Sequence, residues 1–334
     1  MRFSIFTIFI ILTVSIVFCS IFIFTSGAND NLVVLADSDS QGRVLGITDG
    51  NITVSPDLNL DYAASFPQSE NKQDVPPKLK DGAVAPDLKD LTCLVMDKAS
   101  GAVLLKQNEN KTMAIASISK LASVLVFLEQ NLDWETTYKV KASDIVGGGK
   151  NNIVPGDEIK LKDLFFLSLV GSDNSATEAL THATGLSDGE FIAKINSKMK
   201  ELGLANTNFS DPTGLSDANV STALDVAKFA QAALVRKEIR EATLTKDYSL
   251  TTVAGAKRSV SNTDILLDIF PQNGIKIVGG KTGYTVNAGY CFVGQFIDKN
   301  GHEIISVVLG GPDVNSRFEA TKRLVHWTYD NFSW

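Results

Sequence analysis

The chain has 334 residues, 44% of them hydrophobic, and a formal net charge of −7. That is enough apolar material for one large core or two modest ones, and an acidic balance without a basic tract argues against nucleic acid or anionic lipid as a partner. The three histidines (His182, His302, His326) and three cysteines (Cys19, Cys93, Cys291) are scattered, so neither a metal site nor a cofactor is expected.

Met1-Arg2 precedes an uncharged apolar run from Phe3 to Phe24. A signal-peptide core is usually ~7–15 residues and a membrane span ~20, so the run predicts an uncleaved signal-anchor over residues 1–27. Ser26-Gly27-Ala28 is the competing cleavage site, which would give a secreted protein. Arg2 before the run and Asp30, Asp37 and Asp39 after it orient the body of the protein outside the membrane. Residues 28–87 are rich in Ser, Asp, Asn, Gln and Pro and read as a largely disordered polar linker, although Val33-Val34-Leu35 and Gly46-Ile47 suit short strands.

Order is expected from Leu91, within a folded domain of residues 88–334. Leu91–Met96 and Ala102–Leu105 read as strands joined by the turn Lys98-Ala99-Ser100-Gly101. From Ile118 the apolar residues recur at Leu121, Val124, Leu125 and Leu128, a helix with period near 3.6. Leu161–Val170 is helical, Gly171-Ser172-Asp173-Asn174 interrupts it, and Ser175–His182 resumes. Ser187-x-x-Glu190 is a capping box for a helix to about Leu202, and Thr222-x-x-Asp225 opens another through Val235. Asp247–Val253 alternates like an edge strand. Ile275–Thr285, Gly289–Ile297 and Glu303–Leu309 are three successive strands, and Thr321–Phe332 is a closing helix. The order predicts an α/β protein of the α+β type, one antiparallel sheet with helices on both faces and an inserted helical subdomain at about 140–240. Cys93 and Cys291 fall in strands, which predicts buried free thiols rather than a disulfide.

Three short segments carry chemistry. Ser117 and Lys120 lie three apart at the start of the first helix and so share a face. A lysine buried there loses pKa and becomes a base beside a nucleophile. A second such pair, Ser197 and Lys200, lies in a lysine-rich amphipathic stretch and reads as solvated surface. Ser172 and Asn174 sit two apart on a helix break, where a hydroxyl can relay a proton and an amide can grip a peptide bond; a plain helix cap is the alternative. Lys281-Thr282-Gly283-Tyr284 lies in a strand, where Lys281 and Thr282 suit a substrate carboxylate and Gly283 would let a peptide lie on the strand edge; a glycine-rich hairpin is the alternative.

S-x-x-K, S-D-N and K-T-G, in this order on a helix start, an inter-helix loop and a strand, form one signature. With it, residues from about Leu91 to Phe332 resemble the serine-type D-alanyl-D-alanine carboxypeptidases, the low-molecular-mass penicillin-binding proteins. Met96-Asp97-x-x-x-Gly101-x-Val103-Leu104, Asn208-Phe209-x-Asp211-Pro212-Thr213-Gly214-Leu215 and Ala288-Gly289-Tyr290 extend the likeness. The resemblance implies a β-lactamase/DD-peptidase-like fold with a central five-stranded antiparallel sheet. It implies Ser117 as nucleophile on the D-alanyl carbonyl of a peptidoglycan stem peptide, Lys120 as its base and Ser172 as a proton carrier. Asn174 would bind the substrate backbone, Lys281 and Thr282 the terminal carboxylate, and the N–H groups of Ser117 and Tyr284 the oxyanion. β-Lactam antibiotics would acylate Ser117. No metal or cofactor is implied, and a monomer is expected.

The sequence departs from the pattern in three ways. Asp173 stands where many carboxypeptidases carry Gly. No Glu-x-x-x-Asn follows in the helical middle, where class A β-lactamases carry a deacylating Glu. The chain also stops at Trp334, so the N-terminal run would serve as the tether that relatives place at their C-terminus. The readings are therefore a DD-carboxypeptidase, then a DD-endopeptidase on cross-links, a class A-like β-lactamase, or a non-catalytic β-lactam sensor.

Overall fold

Thr92–Asp97 is a strand in which all six residues are buried, and its alternation explains the layers. Leu94 and Met96 point into one apolar cluster while Cys93 and Val95 point into another. Successive strand side chains face opposite ways, so a strand apolar on both faces needs cover on both. Strand Gly289–Ile297 divides in the same way, with Cys291 and Val293 on the first side and Phe292 and Phe296 on the second. Helix Ser316–Asn331 covers the second side with Phe318, Leu324 and Val325, and helix Ala223–Leu234 covers the first with Val226, Ala230 and Ala233. Burying one such large side chain stabilises by about 1.5–3 kcal/mol.

The computed structural model describes residues 75–88 and 91–334, together with the backbone of four short strands within residues 21–54. The chain divides into two units, 1–72 and 73–334. In the first, Ile21–Phe24, Leu32–Ala36, Leu45–Thr48 and Asn51–Val54 form a four-stranded antiparallel sheet. Leu32–Ala36 and Leu45–Thr48 stand where short strands were expected, within the segment read as disordered linker, Asn51–Val54 is an additional one there, and Ile21–Phe24 falls in the run assigned to the signal-anchor. Apart from Ile21–Phe24, the run assigned to a signal-anchor lies outside the described residues. Among the described residues no helix is long and apolar enough to cross a membrane.

In the second unit a five-stranded antiparallel sheet runs in the order Lys276–Thr285, Gly289–Ile297, Glu303–Gly311, Thr92–Asp97, Val103–Gln107. The Lys276–Thr285 strand, called here the motif strand, is therefore an edge. Three expectations about this unit need correction. Residues 75–87 are not free linker: Lys78–Leu79 pairs with Phe332–Ser333, Pro77 is buried, and Trp327 Nε1 donates to Val84 O at 2.7 Å. Helix Ala223–Leu234 belongs to the sheet layer rather than to the insertion, because its small and apolar residues close the sheet's inner face. The insertion is also not all-helical, since Thr137–Lys139 pairs with Glu158–Lys160 at its margin. A hairpin of Asp247–Thr251 and Lys257–Ser261 follows it. Cys93 and Cys291 are free and buried, and burial pushes both thiols up to about 11.

Candidate active site

Ser119–Leu128 is buried along all ten residues, so the first helix runs through the interior rather than along a surface. Ser117 lies just before it, in the 3-10 turn Ala116–Ile118. Ala116 has φ 47, a left-handed conformation that an alanine adopts at a cost of about 1–2 kcal/mol. Five described non-glycine residues have such φ values; three are Asn, which tolerates them, and the other two are Ala116 and Ser172. Backbone strain is thus concentrated beside the nucleophile candidate and at the relay candidate.

Lys120 is fully buried, and its Nζ donates to Ser117 Oγ at 3.0 Å, Asn174 Oδ1 at 2.6 Å and Thr213 O at 2.7 Å. Burial lowers its pKa to about 7, against the opposing pull of Asp173, Asp211 and Glu178. The amine is therefore half neutral near neutrality, and the bond to Ser117 can reverse so that the hydroxyl donates.

Asp211 builds the loop that brings in Thr213. Its Oδ1 accepts from Thr213 N at 2.6 Å and Gly214 N at 2.7 Å, and its Oδ2 from Ser216 N at 2.7 Å. Asn219 Nδ2 donates to Asp211 O at 2.9 Å and to Ser119 Oγ at 3.1 Å, and Ser123 Oγ donates to Pro212 O at 2.6 Å. Gly214, at φ +86, passes so close that a Cβ would sit 2.0 Å from Ala116 O.

The Ser172 loop is held from the other side. Asp173 caps helix Asn174–Ala183 through Ala176 N at 2.9 Å. Its Oδ2 accepts from Asn152 N at 3.0 Å and Asn152 Nδ2 at 2.8 Å, which docks the glycine-rich 147–152 loop that sequence alone did not place. Asn174 Nδ2 donates to Gly147 O at 3.0 Å. With its oxygen taken by Lys120, one amide hydrogen of Asn174 is left for a ligand.

Lys281 is buried and donates to Ser172 Oγ at 2.8 Å and to Thr282 O at 3.1 Å. Thr282 Oγ1 shares a 2.5 Å hydrogen bond with Thr263 Oγ1. Tyr284 is half exposed and stacks on Tyr290, with ring centroids 4.2 Å apart. Gly283 serves a purpose besides the one expected: a Cβ there would lie 2.7 Å from Ile115 O and 3.2 Å from Ser117 N. The missing side chain lets the motif strand approach the Ser117 turn, not merely a ligand. Gly283→Ala should push strand and turn apart and slow acylation of Ser117 by about a hundredfold, the usual effect of a misplacement near 1 Å. A stopped-flow penicillin-binding rate checks this.

The structure thus brings Ser117, Lys120, Ser172, Asn174, Lys281, Thr282, Gly283 and Tyr284 to one place. The second pair does not join them: Ser197 and Lys200 are exposed on helix Asp188–Glu201. Sequence reasoning missed two contributors. Thr213 acts through its carbonyl, and only the Asp-Pro-Thr-Gly turn signal could have hinted at it. Arg317 is buried behind the motif strand and donates from Nη1 to Gly283 O at 3.0 Å and Cys291 O at 3.4 Å. Among the described residues Glu178, His182 and Asp188 also cluster. His182, however, places both ring nitrogens on carboxylates, Asp144 at 2.5 Å and Asp188 at 2.9 Å. Burial alone would lower its pKa, but those bonds raise it.

A buried lysine on a serine hydroxyl, a second serine–lysine pair and an edge strand beside them form, on an α+β scaffold, an arrangement that can carry out acyl transfer through a serine. The D-alanyl-D-alanine carboxypeptidase family matches residues 80–313. D-alanyl-D-alanine carboxypeptidase DacF of Bacillus subtilis is 30% identical over 251 residues, which is 72% of this chain and 62% of that protein. The D-alanyl-D-alanine endopeptidase of Escherichia coli is 30% identical over 250 residues, 73% of this chain and 79% of that protein. Among solved structures, the Streptomyces K15 DD-transpeptidase shares the fold, with a TM-score of 0.69 and 24% identity over 74% of this chain and 100% of that chain. A penicillin-binding protein homologue of Mycobacterium tuberculosis gives 0.66 and 28% over 76% and 96%. The chain belongs to the D-alanyl-D-alanine carboxypeptidase family.

Proposed function

We propose that this protein is a serine DD-carboxypeptidase that removes the terminal D-alanine from peptidoglycan stem peptides through an acyl-enzyme. The observation that carries the reading is the Lys120–Ser117 bond at 3.0 Å in a site that lowers the amine to about 7. The stem peptide adds to the free edge of the motif strand, as extended peptides do at open sheet edges. Neutral Lys120 takes the Ser117 proton as Oγ attacks the D-alanyl carbonyl. The N–H groups of Ser117 and Tyr284 hold the oxyanion, each such donor being worth about 3–4 kcal/mol of barrier. Ser172, bonded to Lys281, gives its proton to the departing amine and is reprotonated by the proton that Lys120 took from Ser117, which returns Lys120 to its neutral form. Lys281 and Thr282 receive the terminal carboxylate, and the remaining Asn174 N–H takes a substrate carbonyl. Water then releases the shortened peptide. β-Lactams acylate Ser117 by the same steps and leave slowly.

A second reading, DD-endopeptidase on cross-links, is favoured by the relatives of that name from Escherichia coli, Haemophilus influenzae and Pseudomonas aeruginosa, each 30% identical. The uncharged run after Arg2 supports export, with residues 1–27 as anchor or cleaved signal and the unit of residues 73–334 as the catalytic domain outside the membrane. Incubation with a pentapeptide ending in D-Ala-D-Ala should release free D-alanine. If only a cross-linked dimer is cut, the endopeptidase reading replaces this one; labelled penicillin that binds without either turnover would make the protein a sensor.

A further inference from the structure

The peptide unit joining Gly283 to Tyr284 carries one of the two N–H groups assigned above to the oxyanion, and its carbonyl end is held from behind. Arg317 Nη1 donates to Gly283 O at 3.0 Å and to Cys291 O at 3.4 Å. Cys291 faces Gly283 on the neighbouring strand Gly289–Ile297, so the guanidinium meets the Gly283 carbonyl on the sheet side of the motif strand. A trans peptide is planar, and its C=O and N–H point opposite ways. A Gly283 oxygen fixed toward the sheet therefore sends the Tyr284 N–H to the free edge of the motif strand. The same residue touches the Ser117 turn, since a Cβ on Gly283 would lie 3.2 Å from Ser117 N, the other N–H assigned to the oxyanion.

A cation is an unfavourable choice at this position on stability grounds alone. Arg317 is 6% exposed, its Nε has no hydrogen-bond partner among the described residues, and the ion pairs made there by arginines are those of Arg236 and Arg258. It also stands in the first turn of helix Ser316–Asn331, where the helix dipole disfavours positive charge. A buried charge without a counter-charge persists only where hydrogen bonds or ring faces compensate it. Here the two backbone carbonyls do so, together with the rings of Tyr290 and Phe318, whose centres lie 5.4 Å and 4.6 Å from Cζ. Tyr290 stacks in turn on Tyr284 at 4.2 Å. The guanidinium thus bears on the peptide of Tyr284 directly and on its side chain through one ring.

We propose that Arg317 is a positioning residue that fixes the Gly283–Tyr284 peptide, so that the Tyr284 N–H meets the oxyanion as it forms. This rests on the reading above that this N–H is an oxyanion donor. Arg317→Leu removes the guanidinium and keeps an apolar side chain between the rings. At pH 8 the full chain and the variant are acylated with a labelled penicillin bearing its free carboxylate and, in parallel, with the methyl ester of the same penicillin. Each rate should fall about a hundredfold from its own wild-type value, the scale of one weakened oxyanion donor. With the pentapeptide, kcat should fall by a similar factor while KM stays within about threefold, as for an interaction made only in the transition state. The infrared stretch of the acyl-enzyme ester carbonyl, isotopically labelled in the penicillin, should move to higher wavenumber in the variant as its hydrogen bond weakens. Slowing of the acid alone would put Arg317 on the substrate carboxylate, and slowing of both with an unmoved carbonyl stretch would leave it a purely structural residue. Either result overturns the proposal, as do unchanged rates. If Arg317→Leu does not fold, Arg317→Gln, which is neutral, enters the same comparison. The penicillin arms do not need peptide turnover. A shifted stretch in a protein whose wild type releases no D-alanine sinks the carboxypeptidase reading and leaves this one standing.

Discussion

Replacing Ser117 with alanine should abolish covalent labelling by penicillin and lower peptide turnover on the order of a million-fold, the scale seen when a nucleophile acting as part of a unit is removed. The reason is stoichiometric as well as energetic, since no other hydroxyl is bonded to Lys120 among the described residues. Ser172 is bonded to Lys281 instead, and its left-handed backbone fixes it there. Ser197→Ala should leave labelling and turnover at wild-type levels, because that serine is exposed on the outer face of its helix. Mass spectrometry of the intact labelled protein gives the readout. An adduct on the Ser117→Ala protein would show that the nucleophile has been misassigned.

Lys120→Arg should slow acylation by about a thousandfold, within the range of a lost general base. Arginine keeps a positive charge at every accessible pH, so it can hold the oxygens of Asn174 and Thr213 but cannot accept the Ser117 proton. The pH profile of the wild type follows from the same residue. Its amine must be neutral to act, and its pKa is lowered to about 7 chiefly by burial. Acylation should therefore be slow below pH 6, rise through pH 7 and level off above pH 8. A flat profile across this window, with penicillin of constant charge, would mean that Lys120 is not the base. Replacing Asp211 by Asn removes one of the anions that oppose the shift, so the rising limb should move to lower pH.

Much of this molecule was legible in its residues. Leu161–Val170 forms a helix with the bounds its apolar run suggested, and the Ser187 capping box closes with both bonds in place. The three late strands appear as Lys276–Thr285, Gly289–Ile297 and Glu303–Gly311, each within a residue or two of its pattern. Side-chain periodicity is a local property, and it survives folding wherever a face must be buried. The motif residues were legible for a related reason: their chemistry is in their side chains. Thr213 escaped because it acts through a carbonyl, which every residue has. Arg317 escaped because nothing near it in the chain shows that it stands behind Gly283.

By itself, then, the sequence determined the alternation that makes the sheet two-faced, the hydroxyls and amines available, and the family of the fold. Tertiary structure decided which lysine of the two serine–lysine pairs is buried. Ser117–Lys120 and Ser197–Lys200 share one spacing, yet only the first is enclosed. Desolvation is the sum of everything packed around a charge, and Lys120 is enclosed with the Thr213 loop and the Asn174 helix, segments remote in the chain that meet only when it folds.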